Sequence, residues 1–518
     1  MSGTLTIREG TFAARAERGG DGVLMVVLFV LAALISGFTI RRYLDPFDEG
    51  LLLSAAHRIA RGEWPYADFG WPYGPGHPLL IWLADRVFGD SVLWWRIART
   101  GADAAISVLA FALVRRQAGT GLGVAAWLAA AVTMAQPTVA NPFPVAFALG
   151  LGALLAAARL RITLAGVLVA LAIAWRPDFG LAALAAVVAA LVVAGEGRRA
   201  LYAALVALAG ALVVYVPFLV AAGPHQLWED LFGITLREGS AWRLPFPVLY
   251  DGRLRLSSAH TLLQDGKDLI GYELPLVALV LLVAAAATLA WRRGPRPARL
   301  IPAGVTVLGA FGALYLRSRA DEFHVQPLAV CAAILAALAI ARTGGALRVA
   351  LALGLGFVAL AGVANRVSAL VLPPDLRAVH LHGVPGIGVP PGEAAALPRV
   401  VAAVDGLVPP DRPVYVAPRR SDRVAFTDPL LYVLVDRPPL LRDDASLQAR
   451  PAEQARIVRV LRRTRPVVIR WLDPLSSKAE PNARGRSSGS RTLDAYLARA
   501  YRQQSRDGNY AILVPRAA

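Results

Sequence analysis

The sequence predicts an α-helical polytopic membrane protein that ends in a soluble α/β domain, and three observations carry that prediction. Of the 518 residues, 56% are hydrophobic and only 17% charged, and the mean hydropathy is +0.52, far from the balance of a soluble chain. The apolar residues gather into about eleven stretches that approach the roughly 20 residues a helix needs to cross hydrocarbon. From about residue 373 the character changes: LPPDLR and GVPGIGVPPGE break the apolar pattern, and short apolar runs then alternate with Arg-rich segments.

The stretches lie near 22–40, 97–114, 121–135, 143–158, 162–175, 180–194, 200–221, 273–291, 300–316, 325–341 and 346–364. The first reads as an anchor that stays, because its head carries Glu9, Glu17 and Asp21 and RRYLDPFDEG follows it in place of a small-residue cleavage site. Short cytoplasmic loops collect Lys and Arg. The connections at 115–117, 159–161, 196–199, 291–299 and 342–348 are the basic ones, so they are expected inside. The alternate connections, 41–96 first among them, hold nearly all the acids of the membrane half and are expected outside. An odd number of spans then puts the N-terminus inside the cytoplasmic membrane and everything after residue 372 outside.

Residues 373–518 hold 23 Lys and Arg against 14 Asp and Glu, half of the chain's net charge of +18. No basic stripe interleaved with aromatics accompanies that charge, so anionic membrane lipids, not nucleic acid, are its expected partner. RPVYVAP (412–418) and RPVVIRWL (465–472) have strand composition, 451–463 and 492–504 have helical spacing, and YAILVP closes the chain as a strand. Helix followed by strand, at least twice, argues for a small α/β sandwich. The one cysteine, Cys331, excludes an intrachain disulfide.

Charge is concentrated where the chain leaves the first span. RRYLDPFDEG sets Asp45, Asp48 and Glu49 beside Arg41 and Arg42. Two amphipathic segments, 49–62 and 78–88, are too short to span and read as helices lying in the membrane surface. Between them EWPYADFGWPYGPGHP is dense in aromatics, glycine and proline, a composition that fits a sugar ring and a phosphate headgroup and equally an interfacial anchor. Carboxylates at 48 and 49 are placed to start the helix that follows, where acids favour the positive end of the helix dipole, or to do chemistry.

The Asp-Glu pair just beyond the first span, the segment from RIARGEWPYADF to PYGPGHPLL and then FGDSVLWWRIA together resemble the membrane glycosyltransferases of the GT-C fold. The resemblance is to the bacterial group related to protein O-mannosyltransferases, the lipid A aminoarabinose transferase and the lipopolysaccharide-core galacturonosyltransferases. It is most specific over about residues 40–100. It implies transfer of a hexosyl or pentosyl unit from a polyprenyl-phosphate donor to a glycan, lipid or protein acceptor on the outer face, with inversion. It further implies Asp48 as the base, with Glu49 beside it, and a positioning or surface role for Asp45, which does not match the motif.

Such a displacement needs a proton acceptor and cations for the departing phosphate. Arg58, Arg96, Arg317 and Arg319 are the arginine candidates on the same side, and Tyr66, Asp68 and Tyr73 join them from the aromatic segment as donor-binding residues. Arg58 is equally placed for a surface ion pair and Arg96 for snorkelling to the headgroups. RSRADEFH crowds Arg319, Asp321 and His324 into the mouth between two spans, as part of the site or as a plain loop salt bridge. Asp103 lies inside the second span and should pair with Arg99 or face a polar groove. His57, His77 and His324 with the acids offer ligands for a divalent cation, but they lack metal-binding spacing, and the resemblance to relatives with monophosphate carriers implies no metal, so neither metal nor cofactor is expected. A flippase or transporter of a lipid-linked glycan is the alternative of a different class; it predicts an internal repeat and polar midplane residues, whereas the polar residues here cluster at the outer face.

Overall fold

The computed structural model describes residues 6–246, 252, 254–292, 294–443 and 447–517. Fourteen helices come first among the described residues: α1 (Thr6–Gly37), α2 (Asp48–Ala60), α3 (Gly76–Phe88), α4 (Leu93–Ala118), α5 (Thr120–Met134), α6 (Phe143–Ala158), α7 (Ile162–Trp175), α8 (Pro177–Val193), α9 (Gly197–Trp228), α10 (Ile234–Trp242), α11 (Ala259–Trp291), α12 (Leu300–Ser318), α13 (Gln326–Ile340) and α14 (Gly345–Val371). By length and apolarity, α4, α9 with α10, α11, α12 and α14 can each cross a membrane. The shorter apolar helices α5 to α8, α13 and the part of α1 from Gly22 fall on the remaining apolar stretches of the sequence.

Burial sorts these helices. Every residue of α13 is buried, which makes it the central helix of the bundle. On α9, by contrast, Val213 and Val220 are 73% and 82% exposed, among a row of bare leucines. A helix apolar all round is either in a core or in lipid, and a bundle with a buried polar interior and an apolar exterior is a multi-pass membrane protein. Inside it, Arg99 pairs with Asp103 at 2.8 Å, Asp103 accepts from Ser36, and Arg99 also reaches the Met134 and Val139 carbonyls and Gln326. The expected Asp103 partner is thus found, and the network ties α1, α4, α5 and α13 together.

After Val371 the chain turns to mixed structure. A hairpin of β1 (Arg377–Leu381) and β2 (Val384–Val389) is followed by α15 (Pro391–Asp405), β3 (Tyr415–Ala417), α16 (Leu430–Leu434), α17 (Pro451–Thr464), β4 (Val468–Trp471), α18 (Thr492–Ala500), β5 (Tyr501–Asp507) and β6 (Tyr510–Pro515). The larger sheet has the order β3-β4-β6-β5, parallel at β3 and β4 and antiparallel elsewhere. Side-chain alternation gives it two apolar faces. Tyr415 and Val468 pack with Ile457, Leu461, Leu493 and Leu497 of α17 and α18, while Val416, Ile469 and Ile512 share a cluster with Val400 of α15.

Two readings of this segment are corrected. The helix expected over 492–504 stops at Ala500, because Tyr501–Asp507 pairs with β6 around a turn at Gly508, and the ladder overrides helical spacing. The hairpin at 377–389 and α15 arise in what reads as a Pro-rich connection.

Candidate functional site

The three acids of DPFDEG have three different fates. Asp45 Oδ1 accepts the backbone amides of Phe47 (2.9 Å) and Asp48 (3.2 Å), so Asp45 satisfies the free donors at the start of α2. Glu49 is fully buried and takes a two-pronged ion pair from Arg96, at 2.8 and 2.9 Å, together with the Trp95 indole at 2.8 Å and the Asp45 amide at 3.1 Å. The Asp48 carboxylate accepts no hydrogen bond from the described residues and faces a cavity of about 640 Å³. The helix-starting role therefore falls to Asp45, which also lines that cavity and is not a surface group.

The chain around these acids is held from both sides. Arg96 donates to the carbonyls of Ile40 and Tyr43, where α1 runs out; the Tyr43 amide donates to the Gly388 carbonyl of β2 at 2.7 Å, and the Gly388 amide to the Arg41 carbonyl at 2.8 Å. Gly50 lets α2 approach α16 closely, since a Cβ there would lie 2.2 Å from the Leu430 nitrogen.

One wall of the cavity is cationic. Arg319 contacts Asp321 at 2.9 Å and Glu480 at 3.1 Å, and Glu480 also pairs with Arg484, whose guanidinium lies 4.4 Å over the Phe426 ring. Asp321 receives the Phe323 and His324 amides and the Nδ1 of the His324 ring at 2.7 Å, leaving Nε2 as the nitrogen turned away from it. Beside Tyr73, Arg176 repeats the pattern: it contacts Asp178 at 2.9 Å, as Arg319 does Asp321, and its guanidinium lies 5.1 Å over the Tyr73 ring. Two Arg-x-Asp connections thus converge on the mouth of the bundle. The other wall is acidic and aromatic, with Glu393, Asp428, Asp473, Trp471 and Tyr510 of the C-terminal segment; Asp428 is buried and its Oδ1 has no hydrogen-bond partner among the described residues.

These surroundings separate the carboxylates. Burial, then the charges of Asp45 and Asp321, pushes Asp48 up to about 8, with Arg319 and Arg176 offsetting only part of the rise. Asp321 goes the other way: burial opposes its charge, but the hydrogen bond and charge of His324, backbone donation and Arg319 outweigh that and hold it below the usual carboxylate range. Burial, then the neighbouring Glu393 charge, lifts Asp428 well above that range. A protonatable carboxylate beside a fixed ionised one is the arrangement from which acid and base roles are built.

Of the residues singled out in the sequence, Asp45, Asp48, Tyr73, Arg319, Asp321 and His324 meet around the cavity, and the rest do not. Arg96 is spent on Glu49 and carbonyl oxygens, so neither reaches the cavity. Arg58 is buried and bonds Glu63 at 2.7 Å and the carbonyls of Leu441 and Asp68, which makes it an internal brace and not a surface pair. Tyr66 is fully buried with its hydroxyl on the Tyr73 carbonyl, Asp68 closes a turn at the Trp64 amide, and Arg317 is exposed on the last turn of α12. The aromatic segment is mostly packing, with Tyr73 its one cavity residue. Sequence reasoning missed Arg176, although WRPDFG carries the same Arg-x-Asp signal as RSRADEFH; it missed Asp428, Glu393 and Arg484, which no local pattern marks.

No family model matches this sequence, and no curated protein does either. Solved structures do. The chain is similar to the crystal structure of ArnT from Cupriavidus metallidurans bound to undecaprenyl phosphate, with TM-score 0.54 and 15% identity over 96% of this chain and 98% of that one. It is also similar to the archaeal oligosaccharyltransferase AglB from Archaeoglobus fulgidus in complex with an inhibitory peptide and a dolichol-phosphate (TM-score 0.56, 12% identity, 94% and 74% covered). A third is the arabinofuranosyltransferase AftD from Mycobacteria, with TM-score 0.51 and 15% identity over 96% of this chain and 40% of that one. All three have the GT-C fold, and so does this chain.

Proposed function

We propose that this protein transfers a hexosyl or pentosyl unit from a polyprenyl-phosphate donor to an acceptor at the outer face of the cytoplasmic membrane, inverting the anomeric centre, with Asp48 as general base. The observation that carries the reading is the split within DPFDEG: of its acids, Asp48 alone presents to the cavity, which also holds fixed arginines, a carboxylate free of donors from the described residues. Structures with the same fold have undecaprenyl phosphate and dolichol-phosphate bound, which supports a lipid-borne donor.

In this reaction the acceptor oxygen or nitrogen gives its proton to Asp48 and attacks C1 from the face opposite the phosphate. The C1–O bond to the phosphate breaks, and the polyprenyl phosphate departs with the electron pair. A base that titrates near working pH is the most effective, and about 8 is close to it. Arg319 and Arg484 are the cavity cations suited to the departing phosphate. Asp45 holds the start of α2 and so aims Asp48, while Glu49 with Arg96 anchors the turn beneath. The carboxylates and aromatic rings of the opposite wall fit the hydroxyls and apolar faces of a sugar acceptor. No step calls for a metal.

Analysis of glycans and lipid-linked sugars in cells lacking the protein tests the proposal. One sugar should disappear from the envelope while its polyprenyl carrier accumulates, and the wild-type chain but not Asp48→Asn should reverse both. An unchanged profile would overturn the reading, and full rescue by Asp48→Asn would favour transport of a lipid-linked glycan without transfer.

A further inference from the structure

We propose that His57, Asp90 and His382 form a binding site for a divalent cation of the zinc class, outside the catalytic cavity, that clips the C-terminal segment onto α2 and the α3–α4 connection. The three residues come from three separate parts of the chain. His57 lies on α2, Asp90 between α3 and α4, and His382 at the tip of the β1–β2 hairpin. One ligand atom from each lies within 4.8 Å of the other two. His382 Nε2 is 3.0 Å from Asp90 Oδ2, and the His57 and His382 rings stand edge to face with centroids 5.8 Å apart.

Zinc binds imidazole nitrogen and carboxylate oxygen at about 2.0–2.2 Å, so ligand atoms on a tetrahedron sit roughly 3.3 Å apart. His382 Nε2 and Asp90 Oδ2 already stand at about that spacing, and His57 completes the set within 4.8 Å. Two imidazoles with one carboxylate select a borderline transition cation over calcium or magnesium, which prefer all-oxygen sites. A plain ion pair between exposed His382 and Asp90 accounts for two of the groups but not the third. A second histidine against the first is unfavourable if both are charged, whereas two neutral imidazoles sharing a cation need that approach.

The backbone holds the ligands in place beforehand. The Val92 amide donates to the Gly383 carbonyl at 2.8 Å, which pins the hairpin tip to the segment carrying Asp90, and Gly383 supplies the left-handed turn (φ +67°) that this tip requires. On the other side of Asp90, the Ser91 amide donates to Asp85 Oδ1 at 3.2 Å. A hollow of about 180 Å³ adjoins His57 and Asp90, with room for a water or for Asp85 as a fourth ligand. The charged groups facing it are Asp85, Asp436, Arg61 and Arg86, and Arg61 is already paired with Asp436 at 2.7 Å.

A cation that binds only the assembled folded state stabilises it by mass action. Here it would fasten α2, which begins at Asp48, to the hairpin whose Gly388 grips Tyr43. The site does not depend on the proposed reaction and is tested apart from it. The untagged full-length protein in detergent, stripped with a chelator, is titrated with Zn²⁺ alone, by calorimetry and by metal analysis after dialysis. One zinc per chain is expected, with affinity falling at least about tenfold in Asp90→Asn and in the His57→Ala/His382→Ala pair. Thermal melting should rise with zinc in the wild type and not in these variants, whose metal-free melting shows that they fold. His324→Ala should bind zinc as the wild type does. Failure to take up zinc, uptake that survives the double variant, or loss of uptake in His324→Ala would overturn the proposal.

Discussion

Asp48 and Glu49 are consecutive residues, yet one faces a cavity with no described donor on its carboxylate and the other is closed in by Arg96, Trp95 and the Asp45 amide. The same division runs through the whole mouth of the bundle. Around the cavity, Asp321 holds Arg319 and His324, and Arg319 also bonds Glu480 and the Trp242 carbonyl, so fixed charges line the space in which Asp48 stands. Beneath it, Arg58, Arg96, Tyr66 and Asp68 spend their polar atoms on carbonyls, carboxylates and turns. Charge near a site is thus of two kinds, lining the cavity or buried beneath it, and Asp48 stands apart from both in having no donor among the described residues.

Substitutions should pull the two kinds apart. Asp48→Asn is expected to reduce glycosyl transfer by roughly 10²–10⁴-fold, the contribution of a positioned general base, while thermal melting stays at or above that of the wild type because the cost of burying an ionisable carboxyl is removed. Glu49→Gln or Arg96→Ala should act on the other axis. Each leaves one partner of a buried pair uncompensated, at a cost of about 3–5 kcal/mol read as a fall in melting temperature, whereas transfer per folded molecule is largely kept. Arg319→Lys, which loses the two-pronged geometry, should weaken donor binding by roughly tenfold, seen in KM for the donor. The pH profile gives a subtler separation. With Asp48 at about 8, the base form increases as pH rises, so transfer should climb through that value and level off above it; Asp48→Glu should keep such a limb. Tyr66→Phe should have the smallest effect, about 1 kcal/mol of stability from one lost hydrogen bond and no change in transfer.

The helical framework was legible because hydrocarbon thickness leaves little freedom. The stretches 143–158 and 162–175 coincide with α6 and α7 end to end, and 49–62 and 78–88 mark α2 and α3 to within two residues. The C-terminal segment was read less fully, since its elements are fixed by pairing between distant strands. The ladder of β5 on β6 turned a run of helical spacing into a strand, and the hairpin hides in GVPGIGV. Within the site, residue types were legible and partners were not. The resemblance over residues 40–100 marked both Asp48 and Arg96, but that Arg96 closes on Glu49 instead of facing the cavity depends on how α4 crosses α2. Arg58 likewise finds carbonyls some 380 residues away in sequence. Arg176 carried a readable signal, its Arg-x-Asp in an acidic connection, because that pattern repeats at Arg319.

The proposed division of labour gives Asp48 the chemistry and its neighbours the fold. It is tested most directly by expressing the wild type, Asp48→Asn and Glu49→Gln in cells lacking the protein and measuring lipid-linked sugar and envelope glycan beside the amount of folded protein. Asp48→Asn should accumulate to wild-type level with the carrier still loaded and the glycan missing, whereas Glu49→Gln should restore glycan in proportion to its reduced folded amount. Restoration by Asp48→Asn, or loss of transfer in fully folded Glu49→Gln, would contradict it.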